Sequence, residues 1–206
     1  MSLQNLQKEI FSWLKLCVIG LLVAVFISAF VIQPFTVKGN SMEPTLEGED
    51  LWRNEKTGDH VLIFKSGYMV GMEAEYNDIV VIDSRIERER RLFDNLRESP
   101  LLTKLLNEGH GKNYWIKRVI GKEGDTLEYK DGIVYRNGEA LVEDFLLEEM
   151  VTSFDKITVP KNHVFVLGDN RNNSRDSREI GAVPLENVMG KVVLRYYPFD
   201  RMDTPN

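Results

Sequence analysis

The chain is poor in the residues that most often build metal centres and disulfide scaffolds. Cys17 is the only cysteine among 206 residues, so an intramolecular disulfide is impossible. There are three histidines, His60, His110 and His163, and no Cys/His pairing has metal-site spacing. Neither a structural zinc nor any other metal or cofactor is expected, and no histidine stands in a recognisable triad setting. Excess positive charge is lacking too. Lys and Arg total 26 against 32 Asp and Glu, a formal net charge of −6, which gives no support to nucleic-acid binding. Internal repeats and low-complexity linkers are also missing.

What the chain does have is one long apolar run near its start. Residues 16–32 carry no charge, and this length lies at the low end of the roughly 17–25 residues that span a bilayer as a helix. Trp13 and Leu14 extend the run, because Lys15 can snorkel to the interface. A cleaved secretory leader has a shorter apolar core and an Ala-x-Ala-like site, whereas Ala29-Phe30-Val31 leads here to Gln33-Pro34. The reading is an uncleaved signal anchor over 13–33, with 1–12 in the cytoplasm. Lys8, Lys15 and the amino terminus precede the span, while acids crowd soon after Lys38, so the positive-inside rule puts the rest of the chain outside the cytoplasm.

From residue 34 to 206 the pattern is short strands and tight turns. Strand signals stand at Leu51-Trp52-Arg53, Asp59–Phe64, Asp78–Asp83, Trp115–Ile120, Thr126–Tyr129, Ile133–Tyr135, Val164–Leu167 and Val192–Tyr197. Asp131-Gly132 and Asn137-Gly138 are hairpin signals. The fold class expected is mainly β, a coiled or barrel-like antiparallel sheet. Residues 84–112 interrupt it with mixed charges and leucines. They read as a helical insertion of one or two helices broken at Pro100, most simply a solvated excursion, or else a substrate-guiding or partner surface.

Three elements carry chemistry. Ser41 sits in a turn led by Gly39 and followed by Pro44, and a serine needs a base to become a nucleophile. Lys117 lies in the apolar, aromatic run Tyr114-Trp115-Ile116-Lys117-Arg118-Val119-Ile120, where burial would bring an amine from about 10.4 toward neutrality. Arg118 alternates to the other face of such a strand. The loop Gly168–Arg178 holds turn formers, acids and arginines suited to bidentate pairing; its composition fits a rigid support in which Ser174 orients the Lys117 amine, and equally a polar surface loop.

Taken together, Ser41-Met42-Glu43-Pro44-Thr45-Leu46, Asp78-Ile79-Val80-Val81, Lys117-Arg118-Val119-Ile120-Gly121 through Gly124-Asp125, and Gly168-Asp169-Asn170-Arg171…Ser174…Asp176-Ser177-Arg178 resemble the ordered boxes of bacterial type I signal peptidases. The likeness is to the single-anchor form typical of Gram-positive bacteria, and Pro198-Phe199-Asp200-Arg201 resembles the usual end of that domain. The resemblance implies a Ser/Lys protease that removes signal peptides after Ala-x-Ala-type sites. Its implied partners are secreted preproteins, membrane lipid and the protein-export machinery. Ser41 would be nucleophile and Lys117 base, with Ser174, Asp169, Arg118, Asp176 and Arg178 in supporting roles. The Ser41 N–H would hold the oxyanion. Some family members have a serine hydroxyl at the position of Gly39, so that second donor is not carried over. Val37, Met42, Leu46, Trp115 and Ile116 would line shallow pockets for small side chains.

The resemblance breaks at two places: Tyr76-Asn77 stands where a glycine usually leads the Asp78 strand, and the 84–112 insertion is longer than in many relatives. Other readings remain at this stage. A self-cleaving Ser/Lys repressor would need a DNA-binding segment where the apolar run lies. A silent membrane-tethered binding domain would be favoured by loss of Ser41 or Lys117, and both are present. A relative dedicated to a few substrates, such as pilus-type proteins, fits the same sequence.

Overall fold

A computed structural model describes residues 3–49, 57–65, 71, 73–88, 90–106 and 113–205. The Leu51-Trp52-Arg53 strand signal and His110 lie outside the described residues. The chain divides into two compact units, residues 1–33 with 91–110 and residues 34–90 with 111–206.

The first unit is helical. Helix α1 (Leu3–Phe30) runs for 28 residues, and from Gln4 to Phe30 it is long and apolar enough to cross a bilayer. The insertion contributes α2 (Leu92–Arg97) and α3 (Pro100–Leu106). Two helices form, and the break between them falls at residues 98–99, just ahead of Pro100. Pro100 opens α3, where its missing N–H is not needed and its fixed φ suits the first turn. Asp94 closes the start of α2 by accepting the Arg91 N–H at 2.9 Å. Both helices pack on α1, so the insertion is not the wholly solvated excursion that its charge suggested.

The second unit is built on strands β1 (Ile32–Thr36), β2 (His60–Phe64), β3 (Ile79–Asp83), β4 (Tyr114–Lys122), β5 (Thr126–Lys130), β6 (Ile133–Arg136), β7 (Glu139–Ala140), β8 (Ile157–Thr158), β9 (His163–Leu167), β10 (Val183–Pro184) and β11 (Val188–Tyr197). Seven of them form one sheet in the order β1-β2-β11-β3-β4-β9-β10, and β7-β6-β5-β8 form a second. The pairings other than β1–β2 run antiparallel. Register shifts along β11 and at Val119/Gly121 of β4 mark bulges, which sharpen local twist and curl the large sheet. The two hairpins in the smaller sheet turn at Asp131-Gly132 and Asn137-Gly138, with positive φ at all four residues, as type I′ turns require.

β3 is buried along its whole length, which is why it reads as an unbroken apolar run rather than an alternation. Its side chains divide between two cores. Ile79 and Val81 join Val37, Met42, Leu46, Val61 and Ile63, and Val80 and Ile82 join Val119, Val164, Val166 and Val183. A third core, around Leu127, Val134, Phe165 and Leu167, lies under the smaller sheet.

The departure at Tyr76-Asn77 has a physical reading. Asn77 has φ +69°, a left-handed conformation that glycine adopts freely and Asn tolerates better than most residues. Asn therefore fills the backbone role, and Tyr76 adds contacts a glycine lacks. Its hydroxyl donates to Asp125 at 2.9 Å, and Arg136 stacks 3.6 Å from its ring centroid.

Candidate active site

The turn that carries Ser41 leaves β1 and is braced from both ends. Val37 N–H donates to Asp59 O (2.8 Å), Asp59 N–H to Glu47 O (2.8 Å) and Glu49 N–H to Val37 O (2.9 Å). Gly39 takes φ +71°, a conformation that suits glycine. Met42 and Leu46 then plug the turn into the first core. The buried Asp59 carboxylate accepts the Glu47 N–H at 2.9 Å, Arg195 Nη1 at 3.1 Å and Arg201 Nη2 at 2.9 Å. Arg195 Nη1 also donates to Thr45 O at 3.1 Å. The Pro198–Arg201 segment thus holds the serine turn from behind.

Lys117 stands in the middle of β4, opposite Val80 of β3. Only 3% of the residue is exposed. Its Nζ donates to Ser41 Oγ at 2.7 Å and to Ile116 O at 2.8 Å. Burial pushes the ammonium down to about 8, against the pull of Asp176 and Asp169 and with a smaller push from Arg178.

The 168–178 loop supplies the rigid surround that its composition suggested. Asp169 and Arg118 form a bidentate pair, Nε–Oδ1 2.8 Å and Nη2–Oδ2 2.7 Å, with both side chains essentially inaccessible. Arg118 also donates to Asn77 O at 3.0 Å, and Phe145 lies 4.1 Å beneath its guanidinium. Asp176 accepts Arg178 Nε and Nη2, both at 2.8 Å, and the Gly168 N–H at 3.1 Å. It also caps the short helix α4 (Ser177–Ile180) by accepting the Arg178 N–H. Arg171 is held by Glu143 and by Gly168 O.

Two expected placements differ. Ser174 does not direct its hydroxyl to Lys117. It donates to Arg175 O at 3.5 Å, a long contact that leaves the Lys117 amine to Ser41 and Ile116 O. Trp115 is not grouped with the other expected pocket residues. Val37, Met42, Leu46 and Ile116 share the first core, while Trp115 packs on the second under the Arg175 guanidinium, 5.2 Å from its ring. Adjacent residues of a strand face opposite ways. Val37, Met42 and Leu46 are fully buried, so they form a floor rather than open walls. The Gly39 N–H donates to Glu49 O at 3.3 Å, whereas the Ser41 N–H has no backbone acceptor among the described residues.

Sequence reasoning missed Asp59, Glu143, Phe145 and the role of Gly168. The first three act through contacts between distant segments, which no local spacing records. Gly168 could have been suspected, since a glycine at the mouth of an acid-rich loop often marks a close approach of backbone. A Cβ at 168 would collide with Ser174 Oγ and the Ser41 carbonyl, and the Asn170 N–H, two residues on, donates to that carbonyl at 3.1 Å. Gly168→Ala is therefore expected to push the loop off Ser41 and lower kcat/KM at least about tenfold while the chain stays folded. Steady-state kinetics beside far-UV circular dichroism checks it.

Residues 10–197 match the family described as signal peptidase, peptidase S26. Signal peptidase I of Bacillus licheniformis is 30% identical over 96% of this chain and 94% of that protein. Thylakoidal processing peptidase 1, chloroplastic, of Arabidopsis thaliana is 34% identical over 85% of this chain and 45% of that protein. A crystal structure of a signal peptidase I from Enterococcus faecalis V583 is 29% identical, covering 58% of this chain and 96% of that one at a TM-score of 0.41. A mainly β domain with an apolar N-terminal helix and a match along nearly its whole length is a peptidase of one class. The chain belongs to the signal peptidase family, peptidase S26, and is a signal peptide-cleaving hydrolase.

Proposed function

We propose that the chain is a membrane-anchored serine endopeptidase that cuts exported preproteins after small residues at Ala-x-Ala-type sites, with Ser41 as nucleophile and Lys117 as general base. The observation that carries this reading is the 2.7 Å contact between Lys117 Nζ and Ser41 Oγ at a lysine brought down to about 8 by burial. Neutral Lys117 takes the Ser41 hydroxyl proton as Oγ bonds to the scissile carbonyl carbon. The Ser41 N–H stabilises the oxyanion. Lys117 returns the proton to the leaving amine as the C–N bond breaks. Water, deprotonated by the same amine, then hydrolyses the acyl-serine and frees the Ser41 hydroxyl.

Arg118, Asp169, Asp176 and Arg178 act through position: their pairs fix the loop against which Ser41 and Lys117 meet. Residues 115–117 of β4 pair with β3 on one side and precede the start of the β9 pairing on the other. An extended preprotein segment laid along that edge would gain affinity from backbone bonds with little sequence demand. The closed floor of Val37, Met42 and Leu46, with Ile116 beside it, would restrict the side chains next to the cut. Helix α1 spans the bilayer, N-terminus inside, and the catalytic unit works outside the cytoplasm beside the export machinery.

The pH dependence tests the base. Only the neutral amine accepts a proton, so kcat/KM is expected to rise roughly tenfold per pH unit below about 8 and to level above it. A rate independent of pH from 6 to 10, with chemistry rate-limiting, would rule out Lys117 as the titrating base.

A further inference from the structure

Helices α2 and α3 pack on α1 within the first unit. The contact is small and polar. Ser99 Oγ donates to Ser28 Oγ at 3.1 Å, Ala29 and Ser99 are fully buried, and Thr103 Oγ1 donates to Ser99 O at 3.2 Å. Small side chains let helices approach closely without a packed apolar seam. The pair also exposes large apolar groups: Phe93 is 69% exposed and Leu101 41%. Arg91, just before α2, is exposed, as are Arg97 and Lys104 on the helices themselves.

The height of this pair follows from α1, granted the proposed span. A hydrocarbon layer of about 30 Å takes about 20 residues at 1.5 Å each. Counted from Trp13 they end near Ile32. Ser28 and Ala29 thus lie within about one turn of the outer boundary, and whatever is fastened to them stands at headgroup depth. Apolar residues exposed there, flanked by long cationic side chains, match the composition of interfacial helices.

We infer that α2 and α3 form an interfacial foot: Phe93 and Leu101 enter the outer headgroup–acyl boundary of the bilayer that α1 crosses, with Arg91 and Lys104 at phosphate level. Lipid is the occupant because the helices that carry these groups pack on α1, the proposed span. This rests on the proposed span, and the test separates the two.

The full chain, with Cys17 replaced by Ala and one cysteine introduced as Phe93→Cys or Leu101→Cys, is labelled with an environment-sensitive fluorophore. It is reconstituted into phosphatidylcholine–phosphatidylglycerol vesicles. A parallel sample carries the label on native Cys17. Quenching by shallow spin-labelled lipid is compared with quenching by a membrane-impermeant aqueous chelate. The expected result is loss of intensity with lipid quencher at 93 and 101, little with the chelate, and lipid quenching at 17. Chelate quenching at 93 and 101 with lipid quenching at 17 overturns the foot and leaves the span intact. Chelate quenching at 17 overturns the span and the foot with it. Protection from both quenchers at 93 that grows with the protein-to-lipid ratio assigns the patch to a second copy and also overturns the foot.

Discussion

Lys117→Met is expected to abolish cleavage and at the same time to stabilise the folded chain. The loss follows from the proposed role. Without a base within reach of Ser41 Oγ, kcat/KM falls by at least about 10³-fold, and Ser41→Ala falls as far. The gain in stability follows from burial. An amine held at about 8 against 10.5 in its ordinary state destabilises the fold near neutral pH by about 3 kcal/mol. Between about 8 and 10.5 the unfolded chain binds the proton and the folded chain has lost it, so wild-type stability rises with pH across that window. Below about 8 both states carry the proton and the cost of burying charge is fully present. Methionine has similar length and no charge, so the variant unfolds at a temperature several degrees higher at pH 7, and the rise between 8 and 10.5 disappears. Ser41→Ala, equally inactive, shows no comparable stabilisation. An inactive but destabilised Lys117→Met would mean that the ammonium is held by favourable contacts and is not available as a neutral base.

The second large effect is expected at the Arg118–Asp169 pair. Both partners lie out of water, so Asp169→Ala leaves a guanidinium without its counterion. Removing one member of a buried pair costs about 3–5 kcal/mol, while replacing both with apolar groups is often far milder. Asp169→Ala should therefore lower the urea midpoint sharply and drop activity through the displaced loop. The double variant Arg118→Met, Asp169→Leu should recover much of the stability. Its activity is the more telling readout. Recovery of folding without recovery of kcat would show that the pair positions the 168–178 loop against Ser41. A change below about 1 kcal/mol for Asp169→Ala would show that the pair contributes little.

Much of the fold was legible because short strands punctuated by Asp-Gly and Asn-Gly turns carry local signals. β2, β3, β5, β6 and β9 stand where alternation and turn chemistry put them. The helical insertion was legible in composition but not in its partner, since nothing in residues 92–106 names the distant surface at Ser28 that they meet. The pairing of Ser41 with Lys117, 76 positions apart, was legible only through the resemblance of four motifs taken together. Neither residue is exceptional alone. Ser174 shows the limit of carrying a role over by position, because its hydroxyl is turned toward Arg175 O in this structure. Trp115 shows a different limit. Adjacent strand residues were both assigned to the shallow pockets, and the pleat sends them to opposite faces. Asp59, Glu143 and Phe145 were beyond reach, because their value lies in contacts with Arg195 and Arg201, Arg171 and Arg118, made only after folding.

The most direct test of the Ser41–Lys117 assignment is product mapping. The detergent-solubilised chain and its Lys117→Ala variant are each incubated with a preprotein bearing an Ala-x-Ala site, and the fragments are weighed by mass spectrometry. A single cut after the second alanine by the wild type, lost in the folded variant, is the predicted result. The same cut made by Lys117→Ala at an undiminished rate would contradict it.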